Sequence, residues 1–301
     1  MDLVPTGERS VYEAEDLRLP RPVAIKFLIW RIFGEQTALR RFEREARLCA
    51  QLTHPNVVTV FDYGTLPTAG AYLVMERLYG VTLRDELTRI GRLQPEAAAE
   101  VFDQILEGIK AAHARGIIHR DLKPENVLIV DVDSGSPRVK LLDFGLAQLR
   151  TLDPGATASV SIAGVVVGTL GYMAPEQFAG VRVDERADIF AFGVMLAEAL
   201  TGRRPFHRPT FAAAVSSTQL DEFHLPGEAP AVRALDALLQ RCLAKEPASR
   251  FASATDVQRQ LIPALRASPP NSISGDDTSR GSLQGVDLPQ QPVDGVPTRE
   301  R

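Results

Sequence analysis

The sequence predicts an α+β protein of two unequal lobes: a small β-rich N-lobe with one key helix, followed by a larger α-rich C-lobe. Two observations carry that prediction. Up to Glu76 the apolar residues fall in short strand-like runs separated by turn residues. From Leu83 onward they recur at spacings of three and four, the period of helices. The composition permits a sizeable core, with 45% hydrophobic and 24% charged residues in 301.

The N-lobe opens with strand-like runs at 10–14 and 22–28, split by 16–20. A helix is expected over 35–52, where Leu39, Phe42, Ala46 and Cys49 share one face. Strands are expected at 57–63 and 71–76, with the glycine-bounded stretch 64–70 between them. The seam lies near 76–83, giving an N-lobe of about 1–78 and a C-lobe of about 79–267.

In the C-lobe, residues 95–115 read as a long amphipathic helix through Val101, Phe102, Ile105, Leu106 and Ile109. Pro95 stands at its start and Gly116 at its end. A strand pair is expected at 127–129 and 139–142 around the turn-rich 131–137. Helices follow at 187–200, ended by Gly202, then at 232–243 and 254–265. Residues 268–301 hold five prolines, four glycines, five serines and no aromatic residue, and read as a disordered tail.

Several function classes are disfavoured. The net charge of −4 counts against nucleic acid as a partner. No apolar run approaches the roughly 18–20 residues of a membrane helix. Cys49 and Cys242 read as buried thiols of a reducing compartment, and with no signal-peptide pattern at Met1–Arg9 the expected location is cytoplasmic.

The chemistry is carried by four stretches in order. They are Val23-Ala24-Ile25-Lys26, His119-Arg120-Asp121-Leu122-Lys123-Pro124-Glu125-Asn126, Asp143-Phe144-Gly145 and Ala174-Pro175-Glu176. Together they match the known signature set of protein kinases, and the chain resembles the Hanks-type serine/threonine protein kinases of the bacterial, eukaryotic-like kind. Gly80-Val81-Thr82-Leu83-Arg84-Asp85 and Tyr172-Met173-Ala174-Pro175-Glu176-Gln177 strengthen the likeness, which covers about residues 7–265.

The resemblance implies a two-lobed kinase fold over 1–267, with ATP and Mg²⁺ as cofactors and a protein Ser/Thr hydroxyl as acceptor. Phosphoryl transfer asks the protein chiefly to position groups and neutralise charge. Lys26 would meet the α- and β-phosphates and be held by Glu45. Asp121 would accept the proton of the substrate hydroxyl, and Lys123 would stabilise the transferring group. Asn126 and Asp143 are hard oxygen ligands suited to Mg²⁺. Only five of the 34 basic residues are lysine, so Lys26 between apolar Ile25 and Phe27 stands out.

Around the base, Val11, Ala24 and Leu128 would sandwich adenine. Met75 would be the gatekeeper, and Glu76 to Leu78 the hinge. His119 and Phe144 are expected to be structural, Asp188 to anchor the catalytic loop, and Glu176 to pair with Arg250. Arg120 is expected to pair with a phosphate on the activation segment 143–176, where Ser159 and Ser161 are the autophosphorylation candidates. Thr169 resembles the threonine of the substrate-binding loop.

The glycine-rich loop departs from the pattern. Val4, Thr6 and Arg9 stand at its glycine positions, and only Gly7 remains nearby. A second reading therefore stays open, a pseudokinase that binds a partner without transferring phosphate. A third, a small-molecule kinase of the same fold, is disfavoured by Ala174-Pro175-Glu176 and Arg250.

Overall fold

The computed structural model describes residues 10–29, 36–66, 70–130, 137–144, 167–179, 181 and 183–273. Within them, a four-stranded antiparallel sheet of order β1-β2-β4-β3 forms the N-lobe. Its strands are β1 (Ser10–Asp16), β2 (Arg21–Ile29), β3 (Val60–Leu66) and β4 (Gly70–Glu76). In register, Lys26 on β2 stands between Val11 on β1 and Leu73 on β4, and Ala24 faces Met75. Helix α1 (Gln36–Ala50) buries Phe42 and Ala46, four apart, and sets Phe42 edge-on to Tyr63 of β3 at 6.4 Å between ring centres.

The strand expected at 57–63 starts later, at Val60. Val57 instead makes a lone parallel bridge to Leu141, with Val58 N donating to Leu141 O at 2.9 Å and Leu141 N to Asn56 O at 2.9 Å. Those apolar residues serve as buried ties between the lobes.

The C-lobe begins with β5 (Gly80–Thr82) and α2 (Leu83–Ile90), which the periodicity reading did not assign. Thr82 and Asp85 form a reciprocal capping box, and Leu83, Leu87 and Ile90 face inward. The sheet β5-β6-β7 is completed by β6 (Val127–Val130) and β7 (Arg138–Leu141), the expected pair. Helix α3 (Pro95–His113) starts at Pro95, and Gly116 beyond its end takes φ +70°.

Then come the four-residue α4 (Pro175–Phe178), α5 (Arg186–Thr201), α6 (Phe211–Leu220), α7 (Pro230–Cys242) and α8 (Ala254–Ala267). Helix α5 is buried on nearly every side and packs against α3 and α7, with Phe102 of α3 edge-on to Phe192. Gly202 ends it in the left-handed region at φ 72°. Helix α6 was also unassigned by pattern; Thr210 caps it.

The expected start of the tail at Ser268 is corrected. Residues 268–273 continue as packed chain, with Ile273 only 2% exposed and its carbonyl held by Arg92. The buried Ile273, with hydrogen bonds from Ser268 to the Ala264 carbonyl and between Asn271 and Gln94, orders a stretch that composition alone marks as disordered tail. The rest of that expectation, 274–301, lies outside the described residues.

Candidate active site

The catalytic loop runs from His119 to Asn126, between α3 and β6, and is fixed from below. Asp188, in the first turn of α5, accepts hydrogen bonds from His119 N and Arg120 N, each at 2.8 Å, and from His113 Nε2 at 2.7 Å. Burial alone would raise its carboxyl. The bond from His113, aided by the nearby histidines and the Arg120 amide, outweighs this and holds it below the usual aspartate value. The expected anchor is in place.

His119 is fully buried. Its Nε2 lies 2.8 Å from the Leu142 carbonyl, which can only accept, so Nε2 carries the proton. Its ring rests 4.5 Å from that of Phe144. Both are structural, as expected.

Within the loop, Lys123 Nζ donates to both Asp121 oxygens at 3.0 Å. Asn126 Nδ2 donates to the Asp121 backbone carbonyl at 2.7 Å and to its Oδ2 at 3.2 Å. The amide nitrogen is thus spent on the loop, and Asn126 is left to offer its oxygen to a cation. Arg120 and Asp143 both take φ 62°, a left-handed backbone that non-glycine residues hold only when their surroundings fix it.

Lys26 is 4% exposed, and its ammonium is ion-paired with Asp143 across the lobes. The expected Lys26–Glu45 pair is not formed in this structure. Glu45 on α1 faces Arg120, with Oε1 3.6 Å from the guanidinium. A buried ammonium neutralises the carboxylate it touches, here Asp143, and Glu45 answers the Arg120 guanidinium. The same geometry places Arg120 on an acid of the N-lobe.

Ala24, Met75, Glu76, Leu78 and Leu128 are all half-buried on strands or linker facing the seam, while Val11 is 59% exposed. The Glu76 carboxylate accepts from Thr59 N at 2.7 Å and Lys140 Nζ at 2.6 Å, a tie between hinge and β7 that sequence reasoning missed. A buried lysine in β7, Lys140, is the signal that could have found it. Gly7, Ser159, Ser161 and Gly145 lie outside the described residues, and Thr169 sits in a 3-10 turn over Val167–Tyr172.

Helix α4 is locked to the rest of the C-lobe by the expected pair. Arg250 grips Glu176 with two bonds of 2.7 and 2.8 Å, and its remaining donors meet the carbonyls of Ala244, Lys245 and Arg186. Both cysteines are buried and free of disulfide bonds, with burial pushing each thiol up to about 12.

A loop aspartate held by a lysine and an asparagine, and a lysine–aspartate pair that joins two such lobes, are the arrangement of a protein kinase domain. The sequence matches the protein kinase domain family over residues 7–262, and the chain belongs to that family. Serine/threonine-protein kinase PknD of Mycobacterium tuberculosis is 37% identical over 265 residues, covering 87% of this chain and 38% of its own length. Pkn1 of Myxococcus xanthus is 39% identical over 262 residues, covering 86% of this chain and 37% of its own length. The chain thus spans under half the length of these relatives. Among solved structures, a double mutant of the Mycobacterium tuberculosis PknI kinase domain superposes with a TM-score of 0.63 at 25% identity, covering 85% of this chain and 90% of that one.

Proposed function

We propose that this chain is an active protein serine/threonine kinase that transfers the γ-phosphoryl group of ATP, as its Mg²⁺ complex, to Ser or Thr hydroxyls of proteins. The observation that carries the reading is the arrangement at Asp121: a carboxylate held by Lys123 and Asn126 on a loop pinned to Asp188.

The donor set fits the cofactor. Asn126 and Asp143 supply hard oxygens, and Lys26 is a buried cation able to meet phosphate. Asp121 is positioned to orient the acceptor hydroxyl and take its proton at a carboxylate oxygen, while Lys123 offers positive charge beside it. Glu45 is proposed to hold Lys26 once it leaves Arg120. Val11, Ala24, Leu128, Met75 and the hinge from Glu76 to Leu78 are proposed to hold the base, with Gly7 in the lid above it. Autophosphorylation is proposed at Ser159 or Ser161. No described helix is long and apolar enough to cross a membrane. A cytoplasmic site of action is proposed on the two buried cysteines, which lie far apart in sequence and form no disulfide with each other.

The test is transfer of labelled γ-phosphate to a generic acceptor protein by the chain and by Asp121→Asn. The variant is expected to bind ATP–Mg²⁺ as the parent does, with kcat lower by about 10²–10⁴. Equal turnover overturns the assignment of Asp121. Absence of transfer by the parent overturns the kinase reading.

A further inference from the structure

A cavity of about 550 Å³ opens between α2, the end of α5 and the chain that follows it, lined by Arg84, Leu87, Thr88, Glu198, Arg204 and His207. Arg84, at its wall, ties three elements together. Its Nε donates to Glu125 at 2.9 Å, its two terminal nitrogens to Glu198 at 2.8 and 3.1 Å, and one of these also to the Tyr172 hydroxyl. Arg204 Nε takes the same Glu198 at 2.9 Å, and the Tyr172 hydroxyl closes the set.

The location gives this network its meaning. Glu125 lies between Lys123 and Asn126, both bonded to Asp121, and Tyr172 lies in the stretch that leads into α4, the helix Arg250 locks through Glu176. Through Glu125 the wall therefore adjoins the loop that carries Asp121. Without Arg84 it would present the carboxylate of Glu125, which is 41% exposed, beside that of Glu198, which is 5% exposed. Such a pair would recruit a basic peptide side chain. With Arg84 in place, both Glu198 oxygens are saturated, and Arg84, Arg204 and exposed His207 face the cavity.

We infer that Arg84 is a specificity-determining residue: its guanidinium occupies the place that a substrate arginine or lysine would take between Glu125 and Glu198, so the enzyme discriminates against basic residues near the phosphoacceptor and accepts neutral or acidic ones. This rests on the proposed kinase reading.

The experiment measures kcat/KM for threonine peptides carrying Arg, Ala or Glu at one position at a time on either side of the acceptor. The parent is expected to use the Arg peptide about tenfold less well than the Ala peptide at one position or more. Arg84→Met should bring that ratio to parity or invert it at the same position, and adding Glu125→Gln should remove the gain. Ratios taken within one preparation do not depend on its folded fraction, so a merely structural role for Arg84 leaves them unmoved. If Arg84→Met does not fold, Glu125→Gln alone decides, since it should sharpen the discrimination against Arg. A parent that prefers Arg, or ratios unchanged by these substitutions, overturns the inference. A parent that phosphorylates neither peptides nor a generic acceptor protein overturns the kinase reading, and the inference falls with it.

Discussion

Arg120 of the catalytic loop and Glu45 of α1 lie 3.6 Å apart, while Lys26, to which Glu45 was expected to pair, is bound to Asp143. Two cations and two anions of the cleft are thus paired across the lobes in the alternative way. Both partners of the Arg120–Glu45 pair are partly exposed, at 23% and 20%, so this contact is the weaker of the two. It also ties the residue expected to sense a segment phosphate to the helix that carries Glu45.

The pairing has a measurable signature. In urea unfolding, Lys26→Met and Asp143→Asn should be coupled by about 1–3 kcal/mol in a double-mutant cycle, because they share one buried contact. Lys26→Met and Glu45→Gln should be additive within about 0.5 kcal/mol. Coupling of the second pair and additivity of the first would reverse the assignment.

Arg120→Met should separate basal from stimulated activity. Glu45 loses its contact with Arg120, so the unphosphorylated enzyme should keep or gain activity. Stimulation by autophosphorylation should disappear, because no guanidinium remains to receive the phosphate. Initial rates before and after preincubation with ATP–Mg²⁺ check this, and full stimulation in the variant would contradict it.

Asp188 makes stability depend on pH. Its folded pKa lies below the unfolded value of 3.8, so its contribution is complete above 3.8 and is lost as pH falls through the lower folded value. Asp188→Asn should lose about 3 kcal/mol at neutral pH, the scale of disrupting a buried charged network. The gap between variant and parent should narrow below that pH. Urea midpoints across the range check the sign.

Arg250 is buried with every donor engaged, so removing it strands Glu176. Arg250→Ala should destabilise by about 3–5 kcal/mol, and Arg250→Met by a similar amount despite its retained volume. A loss under about 1 kcal/mol would show that the buried pair does little for the fold.

Gly108 marks where α3 meets the inter-lobe tie. A Cβ there would stand 2.9 Å from the Asn56 carbonyl and 2.8 Å from Leu141. Since a backbone atom is the obstacle, Gly108→Ala should cost about 1–3 kcal/mol rather than gain helix propensity. Thermal unfolding shows the direction.

What the sequence by itself determined is mostly local. Strand and helix periods placed β1, β2, β4, β6, β7, α1, α3, α5, α7 and α8 to within a few residues, because each carries its own apolar run, face or cap. The motif spacing also located Asp121, Lys123, Asn126, Asp188 and the Glu176–Arg250 pair, whose partners the structure brings together. Helix α2 escaped the periodicity reading, although Thr82 and Asp85 place a capping box ahead of Leu83. Tertiary structure alone decided the rest. Val57 leaves the strand pattern because Leu141 offers it a buried partner. Ile273, with the hydrogen bonds of Ser268 and Asn271, orders a polar stretch because the core has room for it. Glu45 meets Arg120 rather than Lys26 because a buried ammonium accepts whichever carboxylate three-dimensional packing sets against it, and sequence spacing carries no information about that competition.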